Sequence, residues 1–345
     1  MIRILTNLMV FSITIIMGVG IFELSVRYFF PQFDPSGHVT FRGNKDGVPL
    51  SEKRGEFRQI KNTGDYNVLV KINQNGLRES KSLTKATPKD IFVVGDSFSF
   101  GWGVEEHERF SNQLESLIGR SVFNISIPTD FDGYDKLISY AENNGANISN
   151  LIIGVTIEND IRVYEQSTTK EIRKPPISIN VLNLSNLKHY LTARSAAYFL
   201  TTSIIHKNKV LKNFGIRTFL ITPNLAPLIN RILNERMIIS SAKRLKRISQ
   251  KFKSLILIIP SRALWTGSEQ ERAIADKTHY SFISEINKLN IQFVDVRAAM
   301  EQSGNPMGFH FKHDGHWTAA AHRLAASQLT RKLNSMATER RVKGK

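Results

Sequence analysis

The chain has 345 residues, with 47 Lys and Arg against 30 Asp and Glu for a formal charge of +17, and it contains no cysteine. The cysteine count excludes disulfides, thiol catalysis and cysteine-ligated metal. It leaves the compartment open, because a domain this large does not need cross-links to fold. The positive excess favours anionic partners, and anionic glycan and lipid headgroups both remain open. No nucleic-acid motif accompanies the basic clusters at 207–212, 243–253 and 339–345, so a solvated basic surface near an anionic membrane is expected and nucleic acid is not.

Residues 4–22 form a run of 19 positions without a charge, just long enough as a helix to cross a hydrocarbon core of about 30 Å. No small-x-small cleavage site follows, so residues 1–30 read as an uncleaved signal-anchor, a transmembrane helix. Residues 31–88 are rich in Gly, Lys and Asn with few long apolar runs, as in an irregular accessory segment. The β-branched run at 91–94 reads as a buried parallel strand, and 108–118 as an amphipathic helix. Further strands are expected at 122–125, 151–155, 255–259 and 292–296. Strands alternating with helices predict an α/β fold, a three-layer α/β/α sandwich with a flavodoxin-like parallel sheet, over a catalytic domain at 89–335. Within it, 162–214 exceeds one crossover, contains Pro175-Pro176 and an apolar helical run, and reads as a lid-like or partner-binding insertion. A basic tail at 336–345 ends the chain.

Gly95-Asp96-Ser97 follows the first of these strands, which puts Ser97 at the carboxyl edge of the sheet, where open α/β folds keep their ligands. A serine hydroxyl is a weak nucleophile without a base to take its proton and an acceptor to orient that base. His316 and Asp314, in FKHDGHWTAAAH, can supply both. The bland alternative makes Asp314 a cap for a helix starting near Thr318. For Asp96, hydrogen bonds to nearby loop amides are preferred over a second orienting role. His310 and His313 read as loop polar groups, and with Ser97 present neither a metal nor a cofactor is expected. Trp102 and Trp317 either border a cleft or support the catalytic loops. No GxSxG elbow surrounds Ser97, which separates the chain from the ordinary α/β-hydrolase assembly.

Taken together these blocks resemble the SGNH/GDSL hydrolase superfamily, and within it the membrane-anchored bacterial branch near the glycan O-acetylesterases and O-acetyltransferases. The first family block is matched by Gly95-Asp96-Ser97. The second, Asn-x-Ser-x-x-Gly, is matched by Asn124-Ile125-Ser126-Ile127-Pro128-Thr129, with Thr129 in the glycine register. The third, Gly-x-Asn-Asp, is matched by Ile157-Glu158-Asn159-Asp160 without its glycine. The last, usually Asp-x-x-His, is Asp314-Gly315-His316, a shorter spacing shared by variants in the acetyltransferase branch. The stretch 68–78 resembles one found upstream of the first block in anchored members.

The resemblance implies Ser97, Asp314 and His316 as catalytic residues, and an oxyanion hole from Ser97, Thr129 and Asn159, with Gly133 as the alternative to Thr129. It implies a single-pass protein of the bacterial inner membrane, held by its N-terminal helix, whose extracytoplasmic domain acts on an acylated carbohydrate or other ester. The alternatives are a lipase or lysophospholipase, and a non-catalytic glycan-binding scaffold.

Overall fold

The computed structural model describes residues 2–52, 54–164, 184–218 and 234–343. Helix α1 (Ile2–Phe29) is followed by a short antiparallel hairpin of β1 (Phe41–Gly43) and β2 (Pro49–Ser51), then by β3 (Gly55–Ile60) and β4 (Asn67–Ile72). The segment expected to be irregular therefore carries four short strands. Next come β5 (Ile91–Val94), α2 (Ser97–Phe100), α3 (Phe110–Ile118), β6 (Val122–Asn124), α4 (Phe131–Asn143), β7 (Asn150–Thr156) and α5 (Ile157–Asp160). Helices α6 (Leu184–Arg194), α7 (Ala196–Lys207), α8 (Lys209–Arg217) and α9 (Glu235–Ser249) precede β8 (Lys253–Ile259), α10 (Glu269–Lys288), β9 (Phe293–Asp295), α11 (Arg297–Gln302) and α12 (Ala319–Lys343). The segment expected as a basic tail continues α12 as far as Lys343. Of the expected insertion, 165–183, with Pro175-Pro176, lies outside the described residues.

The chain divides into two compact units. The larger comprises Val39–Phe57, Val68–Thr169 and Asn224–Lys345. Its five-stranded parallel sheet has the order β6-β5-β7-β8-β9, which is the α/β/α fold expected from the alternating pattern. β5 and β7 read as unbroken apolar runs because helices cover both faces of the sheet. Ile91, Val93, Ile152, Leu255 and Leu257 pack with Phe98, Phe110, Trp317, Ala321, Ala325 and Leu329 in one buried core. The small residues at 321, 325 and 326 let α12 lie close to that core. The chain passes from β5 to β6 on one side of it and then crosses back to β7 on the other, so the carboxyl end of β5 lies at a topological switch point, and Ser97 begins the helix that leaves it.

The smaller unit comprises Met1–His38, Arg58–Asn67 and Lys170–Pro223. Its helix α1 is long and apolar enough to cross a membrane, and most of its large apolar side chains are exposed. Near its carboxyl end one face is covered. Val26 packs with Ala196 and Ala197, and Glu23 accepts from Ser195 Oγ (2.7 Å) and the N–H groups of Ala196 (2.9 Å) and Ala197 (3.0 Å), satisfying the open first turn of α7. Arg27 donates to Arg194 O at 2.6 Å, the last carbonyl of α6, and to Asp34.

Candidate active site

Four loops at the carboxyl ends of the strands supply the candidate groups, all within the larger unit. After β5, Gly95 allows a close turn: a Cβ there would lie 2.2 Å from Ser99 Oγ and 3.1 Å from the backbone oxygen of Gly154 on β7. Asp96 caps α2, its carboxylate accepting from Phe98 N–H at 3.0 Å, and this capped turn presents Ser97. His316 Nε2 lies 2.8 Å from Ser97 Oγ, and His316 Nδ1 is in direct contact with Asp314 Oδ1. The Ser97 hydroxyl, the His316 ring and the Asp314 carboxylate are thus in one line although 219 residues separate Ser97 from His316.

The Asp-x-His spacing works because Gly315 sits at φ +90°. That left-handed residue folds the turn so that both neighbours face each other, a conformation glycine adopts without steric cost. The turn is tied on each side. Gly315 N–H donates to Phe311 O (3.2 Å), Phe311 N–H donates to His316 O (2.8 Å), and His310 Nδ1–H donates to Gly315 O (2.9 Å). Burial pushes His310 down to about 4, so it is a neutral structural donor near pH 7.

Asn159 belongs to the single turn α5 after β7 and donates from Nδ2 to Asp96 Oδ2 at 2.7 Å. One amide hydrogen is spent there, and the second is left for another acceptor. Asp96 therefore bridges the first and third blocks, and burial raises its carboxyl pKa against the pull of Asn159, Phe98 N–H and His316. Asp160 is also fully buried. It accepts from Thr156 N–H (2.8 Å) and Tyr134 OH (3.0 Å), and burial followed by the Asp96 charge pushes it well up. Through these bonds it holds the turn.

Thr129 lies in the loop between β6 and α4. Among the described residues, no acceptor meets its N–H or that of Ser97. Gly133 is engaged otherwise: its N–H donates to the Asp130 cap at 3.3 Å, and it lies beneath the Thr129 side chain, where a Cβ would be 2.0 Å from Oγ1. Arg162 joins the two loops, donating to Asp130 Oδ2 at 2.8 Å and to Asn159 O at 2.6 Å.

The two tryptophans differ. Trp102 stacks on His316, with ring centroids 5.7 Å apart and planes at 28°. Trp317 is fully buried, edge-on to Phe98, so it supports the loop from the core and borders no cleft. Sequence reasoning passed over Arg162 and the buried pair Glu158–Arg262. The only local signal was a charged residue in a turn directly before Asn159.

Residues 232–343 match the family model described as the SGNH hydrolase-like domain, acetyltransferase AlgX; this stretch contains Asp314 and His316. No curated protein matches the chain. Among solved structures, a lipolytic protein of the G-D-S-L family from Veillonella parvula is similar at 10% identity, over 69% of this chain and 94% of that one, with a TM-score of 0.39. The lipase/acylhydrolase from Enterococcus faecalis is similar at 10% identity, over 72% and 96%, with a TM-score of 0.39. Axe2, an acetylxylan esterase from Geobacillus stearothermophilus, is similar at 9% identity, over 72% and 95%, with a TM-score of 0.36.

Proposed function

On the premise that the chain is an SGNH-type hydrolase, we propose that it is a serine-dependent esterase or O-acyltransferase, working through an acyl-enzyme on acetyl esters of cell-envelope carbohydrate. The reading rests above all on the 2.8 Å contact between His316 Nε2 and Ser97 Oγ, with Asp314 on the other ring nitrogen. Ser97 Oγ attacks the ester carbonyl while His316 takes its proton, and Asp314 holds the required tautomer and balances the imidazolium. The N–H groups of Ser97 and Thr129 and the second amide hydrogen of Asn159 meet the developing oxyanion. His316 then protonates the departing alcohol. Water, or a sugar hydroxyl, deprotonated by the same imidazole, releases the acyl group. The acetyltransferase family model over 232–343 supports acetyl as that group.

Ser97→Ala is expected to abolish ester cleavage and covalent labelling by a serine-directed phosphonate, read by mass spectrometry. Labelling of the wild-type chain at another serine overturns the assignment. Hydrolase and transferase separate on acceptors. With an activated acetyl ester and a panel of glycans, transfer yields acetylated sugar, whereas free acetate alone, with efficient stripping of acetylated glycans, leaves the esterase. Helix α1 serves in this reading as a single-pass anchor in the inner membrane, with the catalytic unit outside the cytoplasm. Release of the full chain by alkaline carbonate would refute the anchor.

A further inference from the structure

The turn that carries the acid and the base is braced from outside the triad by two charged residues that take no part in the acyl transfer itself. Glu158, between Ile157 and Asn159, has a side chain only 8% exposed, and Arg262, in the 3-10 turn after β8, only 11%. Burying either charge alone would be costly, so each needs a compensating partner. Glu158 Oε1 accepts from Arg262 N–H (2.7 Å) and Ser261 Oγ (2.9 Å) and lies 3.7 Å from Arg262 Nε. The guanidinium lies close against Gly315: a Cβ there would be 2.3 Å from Nη1 and 2.6 Å from Cζ. It therefore occupies the space that the middle residue of the Asp-Gly-His turn would need to relax. The opposite end of the pair is covalently next to Asn159. One buried ion pair thus spans the loop of the general base and the loop of the candidate oxyanion amide.

We propose that Glu158 and Arg262 are positioning residues, acting through Gly315 to fix the Asp314–His316 turn relative to Asn159. The inference rests on the acyl-enzyme reading above. Neither side chain touches the reacting atoms; their effect is on the alignment of His316 with Ser97, where a displacement of about 1 Å can cost on the order of 100-fold in rate.

The test measures the second-order rate of phosphonate labelling at Ser97 in the detergent-purified full chain, which needs no knowledge of the natural substrate. Arg262→Ala is expected to slow labelling by about 10- to 100-fold. Glu158→Gln should slow it to a similar extent, and the double variant should be no slower than Arg262→Ala, because both changes break one device. Methylguanidinium at millimolar concentration should restore part of the Arg262→Ala rate, a response that a loosened fold would not give. Thermal melting by near-UV circular dichroism accompanies each rate. Should Arg262→Ala fail to fold, Arg262→Lys carries the decision, with an expected loss of about tenfold because a lysine keeps the charge but cannot cover Gly315 with a planar group. Folded variants labelled at the wild-type rate, or additive losses without methylguanidinium rescue, overturn the proposal and leave the esterase reading standing. Failure of the wild-type chain to be labelled at Ser97 overturns both.

Discussion

At the scale of single residues, the site depends on what Gly95 leaves out and on how one amide is shared. Gly95 has no room for a methyl group, because Ser99 Oγ and the Gly154 carbonyl already fill it. Gly95→Ala is expected to destabilise the larger unit by about 1–3 kcal/mol, the usual cost of overpacking. It should appear as a lower denaturant midpoint with an unchanged slope. The motif marks Asn159 as an oxyanion donor, but a motif does not show that half of its amide is given to Asp96. If the remaining hydrogen serves the oxyanion, Asn159→Ala lowers turnover by about 10²–10³ with a smaller change in KM. Equal turnover would make the residue a brace for Asp96 alone. The sequence offers Thr129 and Gly133 as alternatives because only the fold shows which N–H is already used, and Gly133 gives its own to Asp130.

Among the elements, the loop after α2 is held by an arginine that lies well before it in sequence. Arg78 is 1% exposed and donates to the carbonyls of Gly101 (2.7 Å), Val104 (2.8 Å) and Leu69 (3.2 Å). Burial lowers it to about 9, so it remains charged near neutrality. Arg78→Met would take the guanidinium donor from the Val104 carbonyl, at about 1–3 kcal/mol, while the Gly101 carbonyl keeps the Val104 N–H at 3.3 Å. A clear fall in melting temperature is expected, with slower Ser97 labelling as Trp102 loosens over His316; lysine should not substitute, since one ammonium cannot span the three acceptors. The stretch 68–78 stood out in the sequence as a resemblance without a role, and its role is a set of carbonyls that only folding gathers. In the smaller unit, α1 is more than an apolar rod, because Glu23, Val26 and Arg27 receive the ends of α6 and α7. A chain starting at Phe33 is expected to be cleaved faster by protease within 184–217 than the full chain. Equal cleavage rates would show that those helices stand without α1.

For the whole molecule, acid should be the more revealing stress. Burial, followed by the charges of Arg109 and Arg78, pushes His322 down to about 3, and burial pushes His310 to about 4, both from an ordinary 6.5. Below pH 6.5 the unfolded chain takes up protons that these folded imidazoles refuse. Their contribution is therefore complete above about 6.5 and is lost as pH falls toward 4. The buried carboxyls of Asp96 and Asp160, shifted upward, act in the opposite sense, so a variant must isolate the histidine part. His322→Gln, which can still accept from Phe110 N–H, should lose less stability than wild type between pH 6.5 and 4, the difference reaching about 3 kcal/mol at the acid end. Identical pH slopes would refute this origin. The chain's own residues determined the parallel sheet, the apolar first helix and the motif blocks around Ser97, Asn159 and His316. These are local patterns: apolar runs select buried strands, and a few neighbouring residues define each block. Tertiary structure alone decided that Trp317 faces the core, that Asp96 and Asn159 share a hydrogen bond, that Arg78 holds the loop of Trp102, and that Glu158 and Arg262 lie against Gly315. Each of these joins single residues across long stretches of chain, and a burial or a hydrogen bond made only on folding leaves no periodicity to read beforehand.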